Sequence, residues 1–166
     1  MGFASGLRSI VRQDPDIIMV GEIRDKETAQ IATNISLTGH LLLSTLHTNS
    51  AIGAIPRLMD MGVDQYLVAN TLTLIIAQRL VRKSCEICKS YGCTMCNNTG
   101  YNGRTVVSET LTIDEEMRKY IMSRISLTDI NRYAKASGMI TMYEDGMEKV
   151  EKNITTKAEI LRVLHD

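Results

Sequence analysis

At 166 residues the chain is long enough for one good core, or for a small core with appended modules. Lys plus Arg and Asp plus Glu stand at 19 each, so nothing in the net charge argues for a nucleic-acid or polyanion surface. No charged, apolar, cleavable sequence opens the chain, and its longest apolar stretch, residues 66–77, is broken by Asn70, Thr71 and Thr73. Neither a signal peptide nor a membrane span is expected, and the composition reads as that of a cytoplasmic protein.

Phe3, Leu7, Ile10 and Val11 fall at i, i+4, i+7 and i+8, which predicts an amphipathic helix ending before Pro15, with Arg8 and Arg12 on its solvated face. Ile17–Val20 is a short apolar run between Pro15 and Gly21, the pattern of a strand buried on both faces. Glu22 sits just past its end. From Asp25, a candidate cap, to Leu37 the period changes to helical, and Gly39 suits the left-handed position that follows a helix. Leu41–Ser44 is the next apolar strand, with His40 at its start and His47 past its end. The whole is a βαβ unit, so the two strands are expected as parallel neighbours, and their carboxyl ends bring Glu22 and His47 to one edge.

Asn49 or Ser50 can cap a helix running to about Met61, in which Pro56 forces a kink or a later start. Asp64 can cap a longer one with Leu67, Val68, Leu72, Ile75 and Ile76 as its buried stripe, ending near Gln78. From Lys83 to Arg104 aliphatic periodicity gives way to cysteine, glycine and asparagine. Such a stretch cannot build an apolar core, so something else must hold it. Residues 105–112 regain β character, and short helices follow, with Ser126/Asp129 and Thr156/Glu159 as capping pairs and Gly138 as a stop. The expected segments are 1–82, 83–112 and 113–166.

Three sets of side chains carry chemistry. A carboxylate at the tip of a buried strand can orient or deprotonate a water, or hold Mg²⁺ through its shell, which is what nucleotide hydrolysis asks of Glu22. Gly21 replaces the first member of the acidic pair usual there, so a role on water is favoured over metal coordination. An imidazole past the neighbouring strand can donate to a terminal phosphate or sense its loss, which suits His47; for His40, at the other end of its strand, an ordinary structural role is the geometric expectation. Cys85, Cys88, Cys93 and Cys96 read C-x2-C-x4-C-x2-C. Two thiolate hooks at this spacing are those of a closed tetrahedral zinc site, and the short middle gap leaves iron and sulfur open as the alternative. Gly92, Gly100 and Gly103 supply the tight backbone such a module needs. No glycine in the chain is followed by lysine, so the sequence contains no G-x-x-x-x-G-K-[ST] loop to cradle phosphates.

The run GLRSIVRQDPDIIMVGEIRD, then TGHLLLSTLHTNSA, AQRL, the paired CxxC hooks and TGYNGR resembles the ATPases of type II secretion and type IV pilus assembly, over nearly the whole chain. The resemblance implies an α/β fold, part of a RecA-like P-loop NTPase core with a parallel sheet, followed by a tetracysteine zinc module and a C-terminal helical segment. It implies the C-terminal portion of a homo-hexameric ring that uses ATP with Mg²⁺ and works at the cytoplasmic face of the cell membrane against inner-membrane platform or secretion-system components; that no nucleic acid is bound is expected from the neutral charge and from Tyr91 and Tyr101 being the sole stacking candidates near the cysteines. Glu22 falls on the family's Walker B glutamate, His40 and His47 on its histidine box, and Gln78, Arg79 and Leu80 on the segment that closes the core, which puts His40, Gln78 and Arg79 on the nucleotide. The four cysteines match the zinc module of the assembly-type members, which retraction motors lack. Without the phosphate loop this chain is expected to be inactive alone. The competing expectation is a free-standing zinc-containing interaction module with no ATPase activity.

Overall fold

The structure, a computed structural model, describes residues 3–164. In order these form α1 (Phe3–Val11), β1 (Ile17–Val20), α2 (Lys26–Leu37), β2 (Leu41–Ser44), α3 (Ala54–Asp60), α4 (Gln65–Thr71), β3 (Leu74–Ser84), β4 (Tyr101–Thr112), α5 (Glu115–Met122), α6 (Leu127–Ala136), α7 (Met142–Glu151) and α8 (Lys157–Leu164). Two compact units result, Met1–Ile75 with Leu111–Ala136 and Ile76–Thr110 with Ser137–Asp166. Of the expected boundaries, the one at 82 falls inside β3 and the one at 112 coincides with the end of β4. The C-terminal helices are shared out, α5 and α6 to the first unit and α7 and α8 to the second.

In the first unit β1 and β2 are parallel, with Ile17 opposite Leu41 and Val20 opposite Ser44. The helix between them is set by local chemistry. The Asp25 carboxylate accepts the Thr28 N–H at 2.8 Å to cap α2, and Gly39, at φ +93, turns the chain out of it in a conformation that costs a side chain strain. Ala29, Ala32 and Ile35 form its buried face. Ile18 and Val20 are also buried, whereas Ile17 and Met19 are 61% and 75% exposed and Leu41 and Leu43 are each 50% exposed. The expectation of strands buried on both faces is therefore corrected: one face packs on the core and the other is open. In α1 Leu7 is buried and Ile10 exposed; the side chains of Phe3 and Arg8, on which part of that helix's expected pattern rests, lie outside the described residues.

Pro56 shifts the start of α3 instead of kinking it. It is the third residue of the helix, where its missing N–H forfeits no intrahelical bond. Asp64 does cap α4, accepting the Tyr66 N–H at 2.8 Å, but that helix stops at Thr71. The expected continuation through Ile76 is wrong. Burial from Leu74 onward alternates, with Ala77 and Val81 on the covered side, the period of a strand. Leu111, Ile113, Met117, Ile121, Ile130 and Ala134 complete this unit's core from the far end of the chain.

The second unit is built on β3 and β4, hydrogen-bonded to each other, over which Val81, Val107 and Ile160 form a small core flanked by Val150, Val163 and Leu164. Helix α7 opens on a capping box between Thr141 and Glu144. Its Gly146 lies against Ile160 so closely that an added Cβ would stand 2.9 Å from that residue's Cδ1. Gly146→Ala should therefore destabilise the protein, because overpacking costs about 1–3 kcal/mol against the roughly 1 kcal/mol that alanine gains over glycine in a helix. A lower urea midpoint with unchanged slope is the expected reading.

Candidate nucleotide-hydrolysis edge and tetracysteine centre

Glu22 and His47 leave the carboxyl ends of β1 and β2, and Nε2 of His47 lies 3.2 Å from Oε2 of Glu22. A carboxylate only accepts, so this contact puts the hydrogen on Nε2. The two strand ends are laced by the Ile23 N–H donating to the Thr45 carbonyl at 2.9 Å and by the Thr45 hydroxyl donating to the Gly21 carbonyl at 2.6 Å. A third group, absent from the sequence reading, completes the edge: Nε of Arg24 sits 2.5 Å from the same Oε2. Residues two apart on an extended chain share a side, so Gly-Glu-Ile-Arg carried that signal. The Arg24 hydrogen bond first, with His47 adding to it, holds the Glu22 carboxyl below its ordinary range. Glu22 is thus an ionised acceptor near neutral pH.

His40 is at the opposite end of β2, its Nδ1 2.9 Å from the Thr38 hydroxyl. Gln78 and Arg79 lie on β3 in the second unit, Gln78 exposed and Arg79 partly covered.

The four cysteines do converge. Their sulfurs all lie within 4.8 Å of one another, with Cys85–Cys93 at 3.9 Å, Cys88–Cys96 at 3.7 Å and Cys93–Cys96 at 3.7 Å. Zinc–sulfur bonds of about 2.3 Å in a tetrahedron require edges of about 3.8 Å, so the donor set fits that ion. Sulfur is the acceptor for the backbone as well: the Gly92 N–H points at Cys88 Sγ at 3.2 Å, and the Cys93 and Gly100 N–H groups point at Cys96 Sγ at 3.2 and 3.3 Å. Burial pushes the Cys88 thiol up to about 11. At Cys96 burial acts the same way, but the Cys93 and Gly100 N–H groups bring it down to about 6.

Gly100 is required where it stands. Its φ is +77, and a Cβ there would lie 2.5 Å from the Ser90 carbonyl oxygen. Gly100→Ala is expected to open the module, reading as a loss of metal affinity of about ten- to a hundredfold, the range for changes in a metal's supporting shell, in a competition titration with a chromophoric chelator.

A parallel βαβ unit with an acid and an imidazole at its strand ends, together with a cluster of four cysteines, defines an α/β protein. The family model described as "Type II/IV secretion system protein" matches residues 1–162, and the chain belongs to that family. Its relatives include the type II secretion system protein HxcR of Pseudomonas aeruginosa, 50% identical over 174 residues that take in 100% of this chain and 37% of the relative. The type IV pilus assembly ATPase PilB of Thermus thermophilus is 44% identical over 186 residues, 96% of this chain and 21% of the relative. Among solved structures, the pilus retraction motor PilT with bound ADP aligns with a TM-score of 0.78 at 29% identity, covering 97% of this chain and 43% of PilT. The Legionella pneumophila ATPase DotB aligns at 0.75 and 28%, covering 96% and 41%. The chain thus spans well under half the length of these relatives.

Proposed function

We propose that this chain carries the water-orienting and phosphate-sensing side of a secretion or pilus-assembly ATPase of RecA-like fold, acting in a hexameric ring on the cytoplasmic face of a membrane machine. The observation that carries the reading is the 3.2 Å contact between Glu22 and His47 at adjacent parallel strand ends. In the complete site ATP with Mg²⁺ would be cradled by a phosphate-binding loop, which these 166 residues do not contain. With nucleotide bound, Glu22 would accept a hydrogen from the attacking water, and His47 would turn its Nε2–H from Glu22 toward the terminal phosphate. His40, Gln78 and Arg79 are proposed on the nucleotide by family resemblance. The open apolar face of β1 and β2 is proposed as the surface that the rest of such a core covers.

The four cysteines are proposed to hold one zinc ion in a closed site. Zinc there ties two chain segments together and meets no reactant, because all four positions are taken by protein. This module favours assembly or export over retraction.

Turnover by the isolated chain should be indistinguishable from buffer, since positioning and charge stabilisation of the phosphates supply most of phosphoryl-transfer catalysis. In a chain extended to include a phosphate-binding loop, Glu22→Gln should lower kcat by about 10²–10⁴-fold. Robust activity of the isolated chain that vanishes with Glu22→Gln would contradict the first expectation; full activity of the extended Glu22→Gln protein would contradict the second.

A further inference from the structure

Residues 85–96 gather four sulfurs within 4.8 Å of one another, yet they display three large apolar or aromatic side chains: Ile87 is 67% exposed, Tyr91 94% and Met95 66%. No other large hydrophobic side chain among the described residues is as exposed as Tyr91. Ile87 and Met95 hold the same place in their hooks, each immediately before a cysteine, and the sulfurs of those two cysteines, Cys88 and Cys96, are 3.7 Å apart. Tyr91 is tied to the same node by its N–H, which donates to the Cys88 carbonyl at 2.9 Å. The charge of this stretch of sequence is one-sided. Lys83, Lys89 and Arg104 stand against Glu86 alone over residues 83–104, in a chain that is neutral overall.

We propose that this tip of the cysteine module inserts into the surface of an anionic lipid bilayer. Tyr91, Ile87 and Met95 enter the headgroup region, and Lys89, between the two hooks, faces the lipid phosphates. A tyrosine with an apolar body and a polar end suits that depth. Stable attachment of a peripheral protein takes two signals, and an apolar tip beside a cationic flank supplies both. Three side chains on a twelve-residue module fall short of the roughly 800 Å² per partner that a stable protein interface takes, whereas a bilayer accepts a few side chains at a time. The proposal rests on the membrane association inferred above and gives it a surface. It is independent of nucleotide turnover, so either reading can fail without the other.

The chain contains no tryptophan, so Tyr91→Trp places a sole fluorophore at the tip. The zinc-loaded chain is mixed with vesicles of phosphatidylcholine alone or of phosphatidylcholine with phosphatidylglycerol. The expected result is a blue shift and co-sedimentation with the anionic vesicles only, loss of both on Ile87→Asp with Met95→Asp, and binding about fivefold weaker for Lys89→Gln. Cobalt(II) loading, read by its thiolate absorption, shows that the cluster forms in each variant. No co-sedimentation of the unaltered chain overturns the proposal, as does binding that the tip substitutions leave unchanged, equal binding to neutral vesicles, or capture of a protein through these residues with no vesicle binding.

Discussion

Removing the zinc ion proposed at the four cysteines is expected to unfold residues 83–104 while leaving the first unit, with β1, β2 and α2–α6, folded. From Cys85 to Gly100 the only buried positions are Cys85, Cys96 and Gly100, so no apolar core replaces the sulfur cluster once its cation is gone. Structural zinc sites contribute about 10–16 kcal/mol of apparent binding free energy at neutral pH, as much as the whole stability of an ordinary domain, about 5–15 kcal/mol. A module that owes its order to that one term should therefore be disordered without it. Metal analysis should return about one equivalent per chain. Chelation should bring the amides of residues 85–100 to free exchange, and Cys85→Ser should do the same without chelator. In the second unit the effect is limited by what the strands retain: the Val81, Val107 and Ile160 core contains no cysteine. Protected amides in a metal-free chain with four reactive thiols would show that the hooks pack without an ion.

The βαβ unit and its strand-end pair were legible because everything that defines them is local. Asp25 caps, Gly39 stops, the apolar runs are bounded by Pro15 and Gly21, and a parallel connection leaves Glu22 and His47 at one edge. The cysteine cluster was legible for the same reason, its ligands lying within twelve residues. Residues 72–77 misled because Leu72, Ile75 and Ile76 satisfy a helical stripe while the run as a whole also suits a strand. What decides is β4, the pairing partner of β3, which comes only after the whole cysteine module. The two discontinuous units follow from that long-range pairing and leave no compositional break at their boundaries. Glu159 shows the limit most plainly. Beside Thr156 it reads as the far half of a capping box, and Thr156 does accept the Glu159 N–H at 3.2 Å. The carboxylate, however, turns to a residue on β3 that sequence proximity could not suggest.

That turn makes Glu159 the site of the second large effect. Its side chain is fully buried and receives the Arg82 guanidinium at 2.6 Å, the Arg82 backbone N–H at 3.0 Å and Arg162 at 2.7 and 2.8 Å. Arg82 in turn lies over the Tyr101 ring at 4.2 Å, and the Thr155 hydroxyl donates to its carbonyl at 2.7 Å. The network is asymmetric: the arginine side chains are 42% and 53% exposed, the glutamate not at all. Glu159→Leu releases two cations that reach water and orphans chiefly the Arg82 N–H, an expected cost of about 1–3 kcal/mol. Replacing both Arg82 and Arg162 with methionine strands a buried carboxylate, and the expected cost is about 3–5 kcal/mol. Urea unfolding should rank the double variant below the single one. Acid should separate them too. Arg162 first, then Arg82, hold the Glu159 carboxyl far below the usual carboxylate range despite its burial. The stability it contributes is therefore complete above the unfolded value of about 4.3 and is lost as pH falls below that toward the folded one. The unaltered chain should lose stability steeply across that acid range. Glu159→Leu should lose less there, while the double variant, whose carboxyl is no longer held down, should instead gain stability as pH falls, because burial favours the protonated form.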